Sequence, residues 1–499
     1  MNLVAVDGRE LRRDETLECD VVVVGSGPGG APVARDLATA GADVVVLEEG
    51  PWLRAHDFTG DSLDALSTLY RDAGLATTTG PSPMPLLQGR VLGGTSVVNS
   101  AICWRLPRGV YEEWIADDPT LAEVLEWDAI EAAVTGLETT LGVGPTEPGV
   151  ASGSDRLMAR GADALGLGHR PTRRNVRGCR GSARCNRGCP AGAKLSMDTS
   201  LLPEAVVHGA RIVTDARVER VTIGRGSATG VTARASGGAR VSVRARDAVV
   251  LSAGATNTPA LLLASGARHG PVGRRFQAHP GVAVAGLFAE PVNQWHGATQ
   301  GHEITGLMDD GIKIETLALD PSLTAARLGS VGTALAKDVA RLPHCITWAG
   351  AVRAEGMGRV ARGRRGPRVT MPLTTRDLRR VRRTVQVIGE AMFAAGATAV
   401  APGVAGFPSR VSDVAVMSRL GVDGPLDQRA YSLAISHMFG TCKLGTDPET
   451  SVIRGDFRHH AVDSLYVSDA SVFPTNLGVN PQLSIMSLAR CCATAIAKR

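Results

Sequence analysis

Residues 21–49 read VVVVGSGPGGAPVARDLATAGADVVVLEE, and this stretch decides the fold. The four valines predict a buried strand, which is followed by a helix to about residue 40 and a second strand that ends at Glu48. Gly25, Gly27 and Gly30 have G-x-G-x-x-G spacing, which permits a tight turn, close approach to a pyrophosphate and close packing of helix on strand. The helix N-terminus would offer N–H groups to the phosphates. The stretch therefore predicts a Rossmann-like dinucleotide site.

An acidic residue follows this motif at the distance expected of a ribose ligand. Glu48 lies 21 residues after Gly27, and Glu49 comes directly after it. A carboxylate at this point can accept hydrogen bonds from ribose hydroxyls. We expect Pro28, in the turn, and both acids to line the site. The motif alone does not separate FAD from NAD.

The composition is that of a soluble globular protein with two or more domains. The chain has 499 residues, of which 44% are hydrophobic and 21% charged. A net charge of +5 gives no general case for nucleic acid. The N-terminal residues resemble no signal peptide, and the uncharged run 248–267 predicts a strand, a turn and a helix rather than a membrane span. We expect a cytoplasmic protein whose nine cysteines are thiols or ligands.

The strand-turn-helix order recurs in three separated regions, near residues 18–50, 210–265 and 464–499. In the middle region we predict one strand over RIVTDARVERVTI, a second over RVSVRARDAVVLSAG, a turn at ATNTP and a helix over ALLLASG. Between the regions, short strand-like runs and one helix, Arg376 to Ala395, predict an inserted antiparallel sheet. The chain thus reads as an α/β protein.

Eleven arginines crowd residues 353–383, against the two acids Glu355 and Asp377. They could form a docking patch for an acidic partner or nucleic acid. We favour a solvated hairpin and helix face, because charge runs usually face solvent.

A second glycine-rich segment, residues 89–99, reads GRVLGGTSVVN. Gly93 and Gly94 would let the backbone lie against a flat ring or a phosphate, where a side chain would clash. Its hydrogen-bonding residues are Arg90, Thr95, Ser96 and Asn99.

With this segment the chain resembles the glucose-methanol-choline (GMC) oxidoreductase family, whose first signature is G-R-x-L-G-G-[ST]-S-x-x-N. The resemblance implies that the loop follows the isoalloxazine of FAD, in a Rossmann-like FAD-binding domain of the GMC and p-hydroxybenzoate hydroxylase type. Some relatives carry a histidine before the final asparagine and attach FAD covalently. This chain has Val98 there, so noncovalent FAD is implied.

The resemblance extends over most of the chain. It implies that the backbone of Val218 meets the adenine and that Glu48 binds the adenosine ribose. Ala253 and Gly254 open a segment similar to the second signature, A-G-A-x-x-[ST]-P, and Asp469 and Ala470 match the segment that closes over the pyrophosphate and ribityl chain.

The domain boundaries follow from these matches. We predict a mostly FAD-binding part at residues 1–279, in which residues 150–200 form a lid with cysteines. A substrate-binding part spans residues 280–435, and residues 436–499 complete the FAD-binding part with the catalytic residues.

Residues 436–445, SHMFGTCKLG, resemble the segment H-x-x-G-T-x-x-[ML]-G, and Asn480, Pro481 and Gln482 follow. The resemblance implies that His437 and Asn480 lie over the flavin N5, to which the substrate passes a hydride. Histidine titrates near neutrality and can take the hydroxyl proton. Asn480 cannot act as a base but can orient the substrate oxygen. His279 is expected to be structural.

Cys179, Cys185 and Cys189 have C-x5-C-x3-C-P spacing. Some GMC relatives use similar spacing for a [3Fe-4S] cluster, and the ending is typical of iron–sulfur loops. Other flavoprotein relatives show a similar G-C-P-x-G-A-K segment in a purely structural loop. We leave both alternatives open.

These observations predict an FAD-dependent enzyme that oxidises a small-molecule alcohol to a carbonyl. O2 or another acceptor would reoxidise the flavin, and a [3Fe-4S] relay would make the enzyme a dehydrogenase. The alternatives are a GMC-type lyase that cleaves cyanohydrins and an FAD-binding protein without catalytic activity. The oligomeric state is left open.

Overall fold

The computed structural model describes residues 4–364 and 366–498. The strands are β1 (Val6–Asp7), β2 (Glu15–Val24), β3 (Val44–Leu47), β4 (Val143–Pro145), β5 (His169–Pro171), β6 (Arg173–Asn175), β7 (Arg211–Thr214), β8 (Ala216–Gly224), β9 (Ser227–Ala235), β10 (Arg240–Leu251), β11 (Arg274–Leu287), β12 (His302–Ile304), β13 (Ile312–Thr316), β14 (Cys345–Val352), β15 (Gly358–Arg362), β16 (Pro367–Thr370), β17 (Ala399–Ala401), β18 (Ala434–Phe439) and β19 (Leu465–Val467). The α-helices are α1 (Gly30–Thr39), α2 (Ser62–Leu69), α3 (Arg108–Asp117), α4 (Trp127–Thr140), α5 (Gly153–Ala164), α6 (Leu201–Val207), α7 (Gly254–Ser265), α8 (Pro321–Arg327), α9 (Gly332–Ala340), α10 (Thr375–Ala394), α11 (Val414–Asp423) and α12 (Gln482–Ala497).

The first sheet has the order β1-β7-β3-β2-β10-β9-β8, with β19 beside the second half of β10. The pairs from β1 to β10, and β10 with β19, are parallel. Val21–Val24 lie fully buried between Val44–Leu47 and the end of β10. All-apolar strands of this kind are typical of a parallel sheet covered on both faces. The predicted Rossmann-like arrangement is confirmed.

Two local predictions in the middle region are wrong. The first predicted strand is two strands, β7 and β8, because Asp215 adopts a left-handed conformation (φ 50°) and turns the chain between them. The predicted turn at residues 255–259 lies inside α7. Pro259 is tolerated there because the carbonyl of Ala255, which its missing N–H would leave free, accepts a hydrogen bond from Thr441 Oγ1 at 2.7 Å.

The second sheet is antiparallel, in the order β16-β15-β11-β14-β13-β12-β5, and β17 and β18 also pair with β11. Its core packs against α10, which begins one residue before the predicted helix and ends one residue before its predicted end. Thr374 caps α10 and shares a reciprocal capping box with Asp377. The predicted inserted antiparallel sheet is thus present. The boundaries at 279/280 and 435/436 stay predictions; β11 and β18 run through these positions.

Within residues 4–364 and 366–498, no helix combines the length and apolar character that a membrane crossing needs. The uncharged run 248–267 consists of the end of β10 and most of α7.

Candidate active site

One large cavity, of about 1220 Å³, is lined by residues of both sheets. On the side of the first sheet it meets the turn between β2 and α1, the segment 85–102 and the start of α7. Most of the predicted site residues line this cavity: Gly25, Gly27, Pro28, Glu48, Glu49, Gly94, Thr95, Val98, Asn99, Val218, Ala253, Gly254, His437, Asp469, Ala470, Asn480, Pro481 and Gln482. Segments more than 400 residues apart in the chain therefore meet at one site.

Three predicted cofactor residues do not line the cavity. A Cβ on Gly30 would lie 1.9 Å from the carbonyl oxygen of Gly25, so this glycine serves the packing of α1 on β2. Gly93 has a left-handed backbone conformation (φ 95°) and precedes Gly94, which does line the cavity. The side chain of Arg90 lies toward Glu49, with Nε 3.9 Å from Oε1, and away from the cavity.

The two glycine-rich segments touch each other at the wall of the cavity. A Cβ on Gly94 would lie 2.9 Å from the Cα of Gly27, and a Cβ on Gly27 would lie 3.7 Å from the Cα of Gly94. Ser252, at the end of β10, lines the same space, and its buried Oγ has no hydrogen-bond partner in the described part of the chain. The two glycine-rich segments together form a backbone surface without side chains, called the glycine cradle here, and Ser252 adds this hydroxyl just before the N-terminus of α7. These features fit the pyrophosphate of FAD.

Ser26 connects the two cradle segments. Its hydroxyl donates to Glu48 Oε2 at 2.5 Å and accepts the N–H of Gly93 at 2.9 Å. The other oxygen of Glu48 accepts the N–H of Gly50 at 2.8 Å. Burial is the main influence on this carboxyl, and it raises the pKa of Glu48. Glu48 is thus fixed at the cavity wall, where the predicted ribose contact requires it.

Some cavity residues were missed by sequence reasoning because no motif marks them. Arg71 donates to both oxygens of Glu49, at 3.2 and 2.8 Å, and lines the cavity. Arg362 and Arg364, from the arginine-rich segment, also line it.

Asp469 joins the C-terminal segment to the start of α7. One of its oxygens accepts from the N–H of Gly254 at 2.9 Å and from Thr258 Oγ1, and the other accepts from the N–H of Ser471 at 2.8 Å. Its carboxylate is occupied by protein donors, so the contact with a cofactor would pass through the loop that it organises.

His437, on β18, is held by a chain of polar groups behind the cavity. Its Nδ1 lies 3.1 Å from Nδ1 of His279, whose Nε2 lies 3.2 Å from Oδ1 of Asn476 and 2.9 Å from the N–H of Gly478. The N–H of Gly478 can only donate, so it favours the tautomer in which Nε2 of His279 accepts, Nδ1 of His279 donates to His437, and His437 carries its proton on Nε2. The base role of His437 requires the other tautomer, in which His279 donates from Nε2 to Asn476, its Nδ1 accepts from His437, and Nε2 of His437 is free to take a proton. His279 is therefore a neighbour of the proposed base and more than a structural element.

Burial, followed by the positive charge of Lys313, lowers the pKa of His437 to about 3. Burial also holds the pKa of His279 well below its ordinary value, and His437 adds to this effect. Both imidazoles are therefore neutral near pH 7, which is the state that a proton acceptor needs.

The three cysteines of the 179–189 loop do not converge. Cys185 is buried, Cys179 lies beside Arg174, and Cys189 lines a separate cavity of about 560 Å³. Among residues 4–364 and 366–498, no three His, Cys, Asp or Glu side chains are placed to hold a metal ion. The predicted [3Fe-4S] cluster is not supported, because the cysteine spacing does not bring the thiols to one point.

The buried side chain of Lys194 holds the cysteine loop, residues 179–189, in place. Its ammonium donates to the carbonyl oxygens of Val97, Asn99 and Cys185 at 2.6, 2.9 and 2.8 Å. This side chain ties the cysteine loop to the glycine-rich segment 89–99.

Replacing Lys194 by methionine should lower stability by roughly 3 kcal/mol, since three buried carbonyls would lose their donor. Thermal unfolding of the holoprotein measures the effect. Lys443→Met is the matched control, because this buried lysine has one ion pair, 2.8 Å to the exposed Asp117, and should cost about 1 kcal/mol or less. Equal losses in both variants would contradict the role given to Lys194.

Comparison with known proteins shows the family of the chain and proteins that share its fold. Models described as GMC oxidoreductase match residues 66–281 and 349–489. An uncharacterised GMC-type oxidoreductase of Mycobacterium tuberculosis is 37% identical over 473 residues, which cover 94% of this chain and 74% of that protein. A long-chain-alcohol oxidase of Arabidopsis thaliana is 29% identical over 96% of this chain and 67% of its own length. The crystal structure of pyridoxine 4-oxidase from "Mesorbium loti" has the same fold, with a TM-score of 0.72 at 18% identity over 96% of this chain and 99% of that one.

Proposed function

Since the chain belongs to the GMC oxidoreductase family and acts on CH–OH groups, we propose that it oxidises a primary alcohol with an apolar carbon chain to the aldehyde. The cofactor is FAD, and noncovalent binding follows from Val98. The observation that supports the proposal most is the meeting of His437 and Asn480 in one cavity with the glycine cradle.

The chemistry assigned to the side chains follows from their protonation. FAD, when bound, supplies a two-electron acceptor for the hydride from the α-carbon. Neutral His437 takes the hydroxyl proton at Nε2, because Nδ1 is occupied by His279. Asn480 orients the substrate oxygen. The C–H and O–H bonds break, the C=O bond forms, and O2 or another acceptor finally takes the two electrons.

The apolar substrate chain is proposed from the wall that the second sheet contributes. Beyond His279 and Val282, strands β11 and β14 line the cavity with small residues, including Gly281, Ala283, Ala349 and Ala351, and Leu317 and Leu319 continue the wall. Small side chains leave room for a long aliphatic chain, and apolar ones favour it. The relative from Arabidopsis thaliana named a long-chain-alcohol oxidase also favours a substrate with a long apolar chain.

Anaerobic mixing with a series of n-alkanols tests this proposal. The visible flavin absorbance should bleach, and kcat/KM should rise about fourfold for each added methylene until the cavity is filled, since burying a CH₂ is worth about 0.8 kcal/mol. Flavin that stays oxidised with every alcohol would refute the proposal. A cyanohydrin that turns over without bleaching would establish the lyase alternative.

A further inference from the structure

A buried lysine lies directly behind Asn480. Lys313, on β13, is 4% exposed and does not line the cavity. Its ammonium donates to Oδ1 of Asn480 and to Oε1 of Glu315, and it lies 2.9 Å from Oε2 of Glu303. No sequence motif marks it.

The chemistry of the two groups fixes the orientation of the Asn480 amide. An ammonium is a donor only, so it can pair only with the amide oxygen. The amide nitrogen of Asn480 makes no hydrogen bond to the described part of the chain, and the residue lines the cavity. The N–H₂ group is therefore the end available to a substrate oxygen.

Lys313 is itself held by a polar network. Glu303 is fully buried, and its other oxygen accepts from Nε of Arg170 at 2.8 Å. Trp104 Nε1 donates to Glu303 at 2.9 Å, and the ring of Trp104 lies 5.2 Å from the Lys313 ammonium. This network leaves the ammonium little freedom to turn away from Asn480.

We propose that Lys313 is a positioning residue that locks the Asn480 amide with its hydrogens toward the substrate oxygen. The amide then donates to the oxygen as negative charge develops on it during proton loss to His437. Without Lys313, the amide can flip and present its own oxygen, which repels the substrate oxygen. The inference rests on the proposed alcohol oxidation.

The charges around the base add a second consequence. His437 is faced by His279 from β11 and by Lys313 from β13. Glu315 and Glu303 pair with the lysine, Glu315 lines the same cavity as His437, and Arg353 lies near His279. Lys313 opposes protonation of His437. Its removal leaves Glu315 without its cation, while Glu303 keeps Arg170. The pKa of His437 should therefore rise above its wild-type value, and burial should still hold it below the ordinary histidine value.

The test compares wild type, Lys313→Met, Asn480→Ala and the double variant by anaerobic flavin reduction with 1-octanol. Lys313→Met should slow reduction about 10- to 100-fold, as expected for loss of one oriented donor, with a much smaller change in substrate affinity. The double variant should be within about twofold of Asn480→Ala, because residues that act as a unit are not additive. Losses that multiply would overturn the proposal.

Two further readouts exclude a merely structural role. The acid limb of the kcat/KM profile should lie at higher pH in Lys313→Met than in wild type, because the base of the variant protonates more readily. N,N-dimethyloctanamide, which can only accept a hydrogen bond and is not oxidised as an alcohol, should bind about 2- to 10-fold more weakly to Lys313→Met, as judged from the flavin bands. An unchanged pH profile and an unchanged affinity for this amide would overturn the proposal.

Lys443→Met is the matched control, since it removes another buried lysine, which lies outside the cavity and pairs with the exposed Asp117; reduction as slow as in Lys313→Met would overturn the proposal. If Lys313→Met does not retain FAD, the charge-balanced Lys313→Met/Glu315→Gln variant takes its place in each arm. The proposed function itself would be refuted if no alcohol reduced the flavin of the wild-type protein. This outcome is seen before any Lys313 variant is compared, so it is distinct from a failure of the Lys313 proposal.

Discussion

Replacing His437 by alanine is expected to slow anaerobic flavin reduction by alcohols about 10²- to 10⁴-fold, the range by which a general base accelerates proton transfer. The side chain is neutral, lies at the cavity wall and has its Nδ1 engaged by His279. Without it, the hydroxyl proton has no acceptor at the point where hydride leaves. Stopped-flow absorbance measures the rate directly.

The control for this variant is another buried histidine. His459 is 3% exposed, burial lowers its pKa to about 4, and it lies outside the cavity. His459→Ala should reduce its flavin at a rate close to that of wild type, and both variants should retain FAD. Rapid reduction in His437→Ala would show that another group takes the proton.

The acid limit of stability follows from the same histidines. His437 and His279 bind protons less readily in the folded chain than in the unfolded one. Stability is therefore complete above the ordinary histidine pKa near 6.5 and is lost as pH falls below it, because the unfolded chain binds the protons. The interior that keeps the base neutral thus makes the fold sensitive to acid.

The sequence predicted those parts of the fold whose cause is local. The valines of β2 and the apolar pattern of α10 act over a few positions. The helix α10 lies within one residue of its expected bounds, and β2 ends where expected but begins six residues earlier, at Glu15. The turn at Asp215 and the helical Pro259 were not predictable in the same way. One depends on a left-handed backbone that no residue type requires, and the other on a hydrogen bond from Thr441.

In the candidate site, too, residues that belong to local sequence motifs were predictable, and residues placed by the tertiary structure were not. Residues in recognisable motifs, such as Gly27, His437 and Asn480, line the cavity as expected. Lys313 and Arg71 belong to no motif, and their roles exist only because β13 and the segment after α2 bring them to partners far away in the chain. Cysteine spacing left a cluster and a structural loop both open, because spacing alone does not define where the thiols point.

Replacing Gly27 by alanine should deprive the protein of FAD while leaving its fold intact. The added Cβ would lie 3.7 Å from the Cα of Gly94, an ordinary contact distance, so the polypeptide itself accommodates it. The methyl group would, however, lie at the cavity wall where the two glycine-rich segments meet and where the pyrophosphate must approach the backbone. Overpacking of this kind costs about 1–3 kcal/mol, which is about 5- to 150-fold in the dissociation constant of FAD.

Titration of the apoprotein with FAD, followed by flavin fluorescence, measures this dissociation constant. Gly109→Ala is the matched control, because Gly109 lies in α3 with nothing within 4 Å of an added Cβ and away from the cavity; it should bind FAD as wild type does. The two apoproteins should unfold at similar temperatures, since neither methyl group meets a clash within the chain. Full FAD affinity in Gly27→Ala would mean that the pyrophosphate lies elsewhere, and a collapse of its melting temperature would mean that the cradle is needed for folding rather than for the cofactor.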